Sequence, residues 1–300
     1  MRRYAHFMFA ATLLAVPACE LGQPTTFLDD ETYVAPVEGK LAVSEDANQV
    51  WLPRTHSNGN EELVGFSNPG ASEFMSTGSF SSSVAITDLS AAHEPGSEGG
   101  VWTLHANGFR LRFDENGVFD ALSTGANIED AFPAGPREWC GLAMGLDGSA
   151  YVMAGHQEGT FTHWHLYREL DGVVTRAGGP FPSLGCPEIA YDLPLDEIAV
   201  AVDGGYGSRD VIWFDPDTME ETHQIEIVAE PHAIAVFDHK VAVGRASSIW
   251  IWNEDGTVAD SESGVHVEDL DVQYGNNQVR LWWSGTGPDD VSTVGSYQLL

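Results

Sequence analysis

The side chains of this 300-residue sequence best suited to chemistry are histidine and carboxylate, and they occur in two arrangements. One is His156, His163 and His165 in AGHQEGTFTHWHLY. If the segment is a hairpin, His163 and His165 share one strand face. A turn centred on Glu158-Gly159 would pair His156 with Phe161 and bring it to that face as well. Three imidazoles so placed could bind a transition metal, although a one-residue slip would remove His156. The trio also reads as ordinary surface or packing residues. The other arrangement is dispersed: Glu138, Glu188, His232 and His266, with Glu268 and Asp269 close by, sit just ahead of apolar runs. If those runs converge, Glu188, His232 and His266 are candidate ligands for Zn²⁺ or Ca²⁺. They are equally what the rim of any water-filled mouth would carry. The sequence has no G-x-S-x-G elbow, H-E-x-x-H pair, P-loop or dinucleotide fingerprint. DENGVFD (114–120) has Asp and Asn at its first and third places but Val118 at its fifth. It therefore reads as a hairpin turn rather than a calcium loop.

What must position these residues is a repeat. In residues 230–258, the runs AIAVF, KVAVG and SIWIW are separated by tight polar turns and followed by NEDG. The same device recurs at 187–225, 139–174 and 82–122, more loosely at 39–75, and with three runs at 267–300. Its late turns, Pro69-Gly70, Asn116-Gly117, Asp171-Gly172, Asp217-Thr218 and Asp255-Gly256, are spaced by 47, 55, 46 and 38 residues. Period-two alternation with Gly/Asn/Asp turns predicts strands, and no segment carries a helical stripe. A four-stranded unit repeated at this interval predicts an all-β fold, a β-propeller of six four-stranded blades. The last copy lacks its outer strand, and ETYVAPVE (31–38) is predicted to complete it and close the ring, which removes two open sheet edges. Seven blades, one of them degenerate within 66–100, is the alternative. Trp213, Trp250, Trp252, Trp282 and Trp283 are expected to pack blade against blade, with an aromatic sugar platform as the second reading. Cys140 and Cys186 lie one repeat apart, each just before an inner strand, and are expected to form a disulfide. That loop closure would contribute about 3–4 kcal/mol in the chain-entropy picture.

PEIAYD…EIAVAVDG and PHAIAVFD…KVAVG resemble the bacterial NHL/YVTN-type propeller repeat, over roughly residues 139–258. The resemblance implies a propeller whose ligands bind at the axial mouth. Some propeller enzymes, lactonases with a central calcium and amidating lyases with a central zinc, use that mouth for catalysis. The likeness to them extends to fold only, so function must come from the site.

The N-terminus has its own logic. Two arginines, an apolar stretch from Ala5 to Val16 and small residues before Cys19 read as a secretory signal over residues 1–18, too short to span a bilayer. VPAC resembles a bacterial lipobox with Cys19 as the lipidated first residue. Glu20 after it implies the outer membrane rather than inner-membrane retention, facing either the periplasm or the cell surface. Residues 19–30 then form a tether and 31–300 a single domain. Beyond the signal, 11 basic residues face 45 acidic ones, a balance of −34. Such a surface repels nucleic acid and anionic headgroups. The expected function is that of a membrane-anchored binding or assembly module with a protein or polysaccharide partner. The alternative is a metal-dependent, lactonase-like hydrolase or lyase at the axial mouth.

Overall fold

A computed structural model describes residues 27–34, 40–44, 49–55, 61–67, 75–82, 84–93, 100–115, 117–119, 137–158, 161–181, 183, 185–205, 208–228, 231–275, 278–286 and 292–299. Among them the helical elements are none and the strands fall into six antiparallel sheets. Strand β1 (Phe27–Val34) leads the chain. Sheet I holds β2 (Ala42–Val43), β3 (Gln49–Thr55), β4 (Glu61–Ser67) and β5 (Met75–Ser82). Sheet II holds β6 (Ile86–Ala91), β7 (Val101–His105) and β8 (Arg110–Phe113), and Phe119 bridges back to Phe113. Sheet III holds β9 (Arg137–Met144), β10 (Ala150–Glu158), β11 (Phe161–Leu170) and β12 (Val173–Phe181). Sheet IV holds β13 (Glu188–Asp192), β14 (Glu197–Gly205), β15 (Ser208–Phe214) and β16 (Glu221–Ile227). Sheet V holds β17 (Ala233–Phe237), β18 (Lys240–Gly244), β19 (Ser248–Trp252) and β20 (Val258–Ser263). Sheet VI holds β21 (His266–Gly275), β22 (Gln278–Thr286) and β23 (Ser292–Leu299), completed by β1.

The β1–β23 ladder runs from Phe27↔Leu299 to Val34↔Thr293. The N-terminal strand thus begins at Phe27, within the segment read as a tether, and residues 35–38 lie outside the described set, as do Cys19 and the signal segment. Residues 66–100, where an extra sheet was the alternative, contribute to β4, β5 and β6. First strands of successive sheets touch one another: β2 meets β6, then β9, β13, β17 and β21 follow, and β21 meets β2.

The turn chemistry explains why each sheet folds locally. Between β17 and β18 the two-residue turn Asp238-His239 has φ of 53° and 57° and joins Phe237 to its partner Lys240. Positive φ at both positions is the hairpin geometry whose twist matches the flanking strands. Asp171-Gly172 does the same between β11 and β12.

Alternate residues on a strand face opposite sides, and here both sides are packed. On sheet V, Val241, Val243 and Trp252 pack with Ala199, Val211 and Trp213 of sheet IV. Ala242, Ile249 and Ile251 face the other way, against Val267, Leu270 and Leu281 of sheet VI. That is why AIAVF is buried throughout, each large apolar side chain contributing about 1.5–3 kcal/mol. Two tryptophans need a glycine opposite. Trp164 lies across from Gly155 and Trp283 across from Gly295. A Cβ on Gly155 would stand 2.8 Å from the Trp164 ring, and one on Gly295 would collide with the Trp283 indole.

Candidate functional site

The cyclic contact of first strands brings four ionisable side chains to one point. Lys40 immediately precedes sheet I, Asp88 lies on β6, Glu188 opens β13, and Asp269 lies on β21. The Lys40 ammonium is 3.3 Å from Glu188 Oε2, 3.7 Å from Asp88 Oδ1 and 3.9 Å from Asp269 Oδ1. The surrounding cavity is small, about 60 Å³, with Asp271 in its lining. It has room for a few waters at most.

The carboxylates do a second job: they accept main-chain N–H groups from the neighbouring sheet. Asp88 Oδ2 accepts from Leu142 N at 2.6 Å, Asp269 Oδ2 from Leu41 N at 2.7 Å, and Asp271 Oδ2 from Val43 N at 2.7 Å. An inner-strand aspartate therefore latches sheet II to III and sheet VI to I. Asp192, at the far end of β13, latches sheet IV to V. Its Oδ1 accepts from Asp238 N and its Oδ2 from His239 N, at 2.9 and 3.1 Å, the two amides of the β17–β18 turn. Trp213 Nε1 also donates to it at 3.2 Å. Burying these acids is costly. Burial pushes Asp88 and Asp271 up to about 7 and Asp269 up to about 6, against the lowering by Lys40 and the amides. Burial also raises Asp192 despite its three donors. Burial alone would lower Lys40, but Asp269, Asp88 and Glu188 outweigh it and hold the ammonium well above its ordinary range.

The structure distributes the candidate residues differently from the sequence expectation. Of the axial set, Glu188 reaches the centre and is taken by Lys40. His232 and His266 pack edge to face with ring centroids 5.8 Å apart. His266 is further engaged by Glu268 Oε1 at 2.8 Å and Ala246 O at 3.0 Å, so both its ring nitrogens have partners. Glu138 is exposed on β9. In sheet III, His156 pairs with His163, not Phe161, because Phe161 is the partner of Glu158. The three histidines do share a face through that register, yet His163 lies near Glu158 at 3.7 Å and His165 packs on Tyr167. Among the described residues no group of three or more His, Cys, Asp or Glu is placed to hold a metal ion. The axial donors do not fit a calcium or zinc either, since a lysine ammonium stands where the cation would be. Cys140 and Cys186 form the expected disulfide, with Cα atoms 6.1 Å apart, joining β9 to the start of sheet IV. The tryptophans pack as expected, Trp213 and Trp283 being fully buried and Trp250 stacked on Trp252.

Lys40, Asp88, Asp192 and Asp271 carried no functional reading in the sequence. The usable signal was compositional: only Lys40 and Lys240 are lysines, and Asp88, Asp192, Asp269 and Asp271 interrupt apolar runs.

No family model matches the chain, and no curated protein does. Solved structures are similar in fold. A lectin from Aleuria aurantia, solved with Fucα1-6GlcNAc, is 11% identical with a TM-score of 0.59, covering 92% of this chain and 93% of its own. Regucalcin from Agrobacterium tumefaciens, described as a calcium-binding protein, is 12% identical with a TM-score of 0.57, covering 89% and 92%. The β-propeller domain of the Trilobed protease from Pyrococcus furiosus is 13% identical with a TM-score of 0.51, covering 87% and 81%. The chain is all-β and propeller-like. At these identities the likeness speaks to fold alone.

Proposed function

We propose that the protein is a six-bladed β-propeller, closed by β1, that is anchored through Cys19 to the outer membrane and serves there as a binding or assembly module. The cyclic contacts of first strands and the β1–β23 ladder support the closed ring. The observation that carries the non-catalytic reading is the axial salt-bridge cluster: Lys40 neutralises Asp88, Glu188 and Asp269 in a cavity of about 60 Å³. A mouth plugged in this way offers neither a metal nor room for a substrate. Binding then falls to the rims and outer faces of the sheets. The propeller-like lectin shows that this kind of fold presents carbohydrate sites, and a polysaccharide partner is the form of the reading we favour.

Fractionation and turnover together test it. Wild-type protein should incorporate labelled palmitate and sediment with outer membranes, and Cys19→Ala should do neither. The purified protein should hydrolyse no lactone or ester panel above buffer with Ca²⁺ or Zn²⁺ supplied. A metal-dependent turnover abolished by Glu188→Gln would replace this reading with the lactonase-like one, which the fold likeness to regucalcin favours.

A further inference from the structure

The rim of sheet V carries a second concavity, of about 350 Å³, remote in composition from the axial cluster. Arg245, Ser248, Trp250, Ser261, Glu262 and Ser263 are among the residues that line it. Register decides what faces in. Ser248 pairs with Ser263 and Trp250 with Ser261, so these four side chains share one face. Glu262 pairs with the buried Ile249 and points to the other face. The side chains that register turns into the concavity are hydroxyls and an indole, while Glu262, also in the lining, has its side chain turned to the other face.

Arg245 stands over it from the β18–β19 turn. Its guanidinium lies over the Trp250 ring, 5.6 Å from the centroid, and Trp250 also stacks on Trp252. Among the described residues the Arg245 main-chain N–H donates to Ser248 O at 2.9 Å, while the Arg245 guanidinium makes no hydrogen bond and no ion pair. That is unusual in a chain where acids outnumber bases by 45 to 13. A guanidinium stacked on an indole is held in place while its N–H fork stays free. Trp250 Nε1 donates to Ser248 Oγ at 2.9 Å. The Ser248 oxygen is thus an acceptor to the indole, and its own O–H remains a donor. One cation and several hydroxyls around an apolar wall, in a volume suited to a small ligand, recognise an oxyanion borne on a polyhydroxyl ring.

We propose that the Arg245–Trp250 pocket of sheet V binds an acidic saccharide, Arg245 pairing with a carboxylate or sulfate group and the serines with ring hydroxyls. The net negative charge of the protein does not forbid this. Charges farther than about 8 Å are largely screened at physiological salt, so the local guanidinium decides the contact. The proposal deepens the binding-module reading by naming a ligand class, and it rests on that reading only for the exposure of this rim.

Affinity electrophoresis of the full-length protein tests it with four probes: oligogalacturonate, its methyl ester, dextran sulfate and neutral dextran. Retardation by oligogalacturonate identifies a carboxylate ligand, and retardation by dextran sulfate alone identifies a sulfate. Neither the ester nor neutral dextran should retard the protein. Arg245→Ala should weaken the acidic probe at least about tenfold, as expected for loss of a charge-assisted pair, and Arg245→Lys should retain part of it. Both variants should melt as wild type does, because the Arg245 side chain is tied only to an indole face and the main-chain bonds to Ser248 and Val267 survive substitution. Equal retardation by acid and ester, wild-type binding by Arg245→Ala, or no retardation by either acidic probe would overturn the proposal. So would capture of a peptide C-terminal carboxylate with no saccharide bound. Membrane sedimentation of the wild type through Cys19 would survive each of those results, so the anchored-module reading stands or falls separately.

Discussion

Single carboxylates set both the stability and the pH response of this molecule. Asp192 is the clearest case, since three donors converge on one buried acid: Asp238 N, His239 N and Trp213 Nε1. Asp192→Ala leaves all three without a partner. The expected loss is about 3 kcal/mol or more, read by urea unfolding, with Asp192→Asn losing less. Wild-type stability in the Ala variant would mean that the latch is incidental. Asp271 governs the pH response. Its folded-state value is raised to about 7 by burial. A raised carboxyl binds its proton more readily folded than unfolded, so stability rises as pH falls from about 7 towards the ordinary value of about 4. Asp88 and Asp269 act with the same sign. Lys40, held high, contributes stability throughout that range and loses it only above the ordinary lysine value. The wild type should therefore melt higher at pH 5 than at pH 8. Asp271→Asn should raise the pH 8 melting temperature and narrow the gap. An unchanged gap would show that this carboxyl does not carry the effect.

At the level of elements, the repeat was legible because each unit folds by local rules. The Asp238-His239 and Asp171-Gly172 turns sit between apolar runs of matched length, and alternation marks the strands. Cys140 and Cys186 were legible because repeat spacing converts sequence distance into spatial adjacency. The site was less legible for the opposite reason. Lys40 and its partners Asp88, Glu188 and Asp269 come from four separate sheets. No local pattern reports such a meeting, and a lone lysine before a two-residue strand looks like a surface residue. The histidine contacts were not legible either: His266 meets Glu268 and Ala246, and His232 packs edge to face on His266. The partner of His156 was missed by two positions, His163 instead of Phe161, and because that shift is even the histidines keep one face. The strand β1 gives an element-scale prediction. Deleting residues 27–34 strips β23 of its outer partner and makes it the edge strand of sheet VI. The deleted protein should melt lower and self-associate in light scattering. A monodisperse variant with wild-type melting would show that β1 is dispensable.

For the whole molecule, the arrangement of charge links fold to function. Acids exceed bases by 45 to 13. Lys40 neutralises the carboxylates where the first strands meet, and the Arg245 guanidinium stands over the Trp250 ring. Removing one partner of a buried ionic cluster is costly because it leaves the remaining charges uncompensated. Lys40→Met would leave Asp88, Glu188 and Asp269 facing one another, the donor set that a hard cation prefers. Calcium titration of the full-length wild type and of Lys40→Met, followed by calorimetry and thermal melting, is the most direct test of the plugged axis. The wild type should take up no stoichiometric calcium and melt identically with excess calcium or chelator, while Lys40→Met should melt lower and be rescued by calcium. Stoichiometric calcium uptake by the wild type, with a melting shift lost in Glu188→Gln, would contradict it.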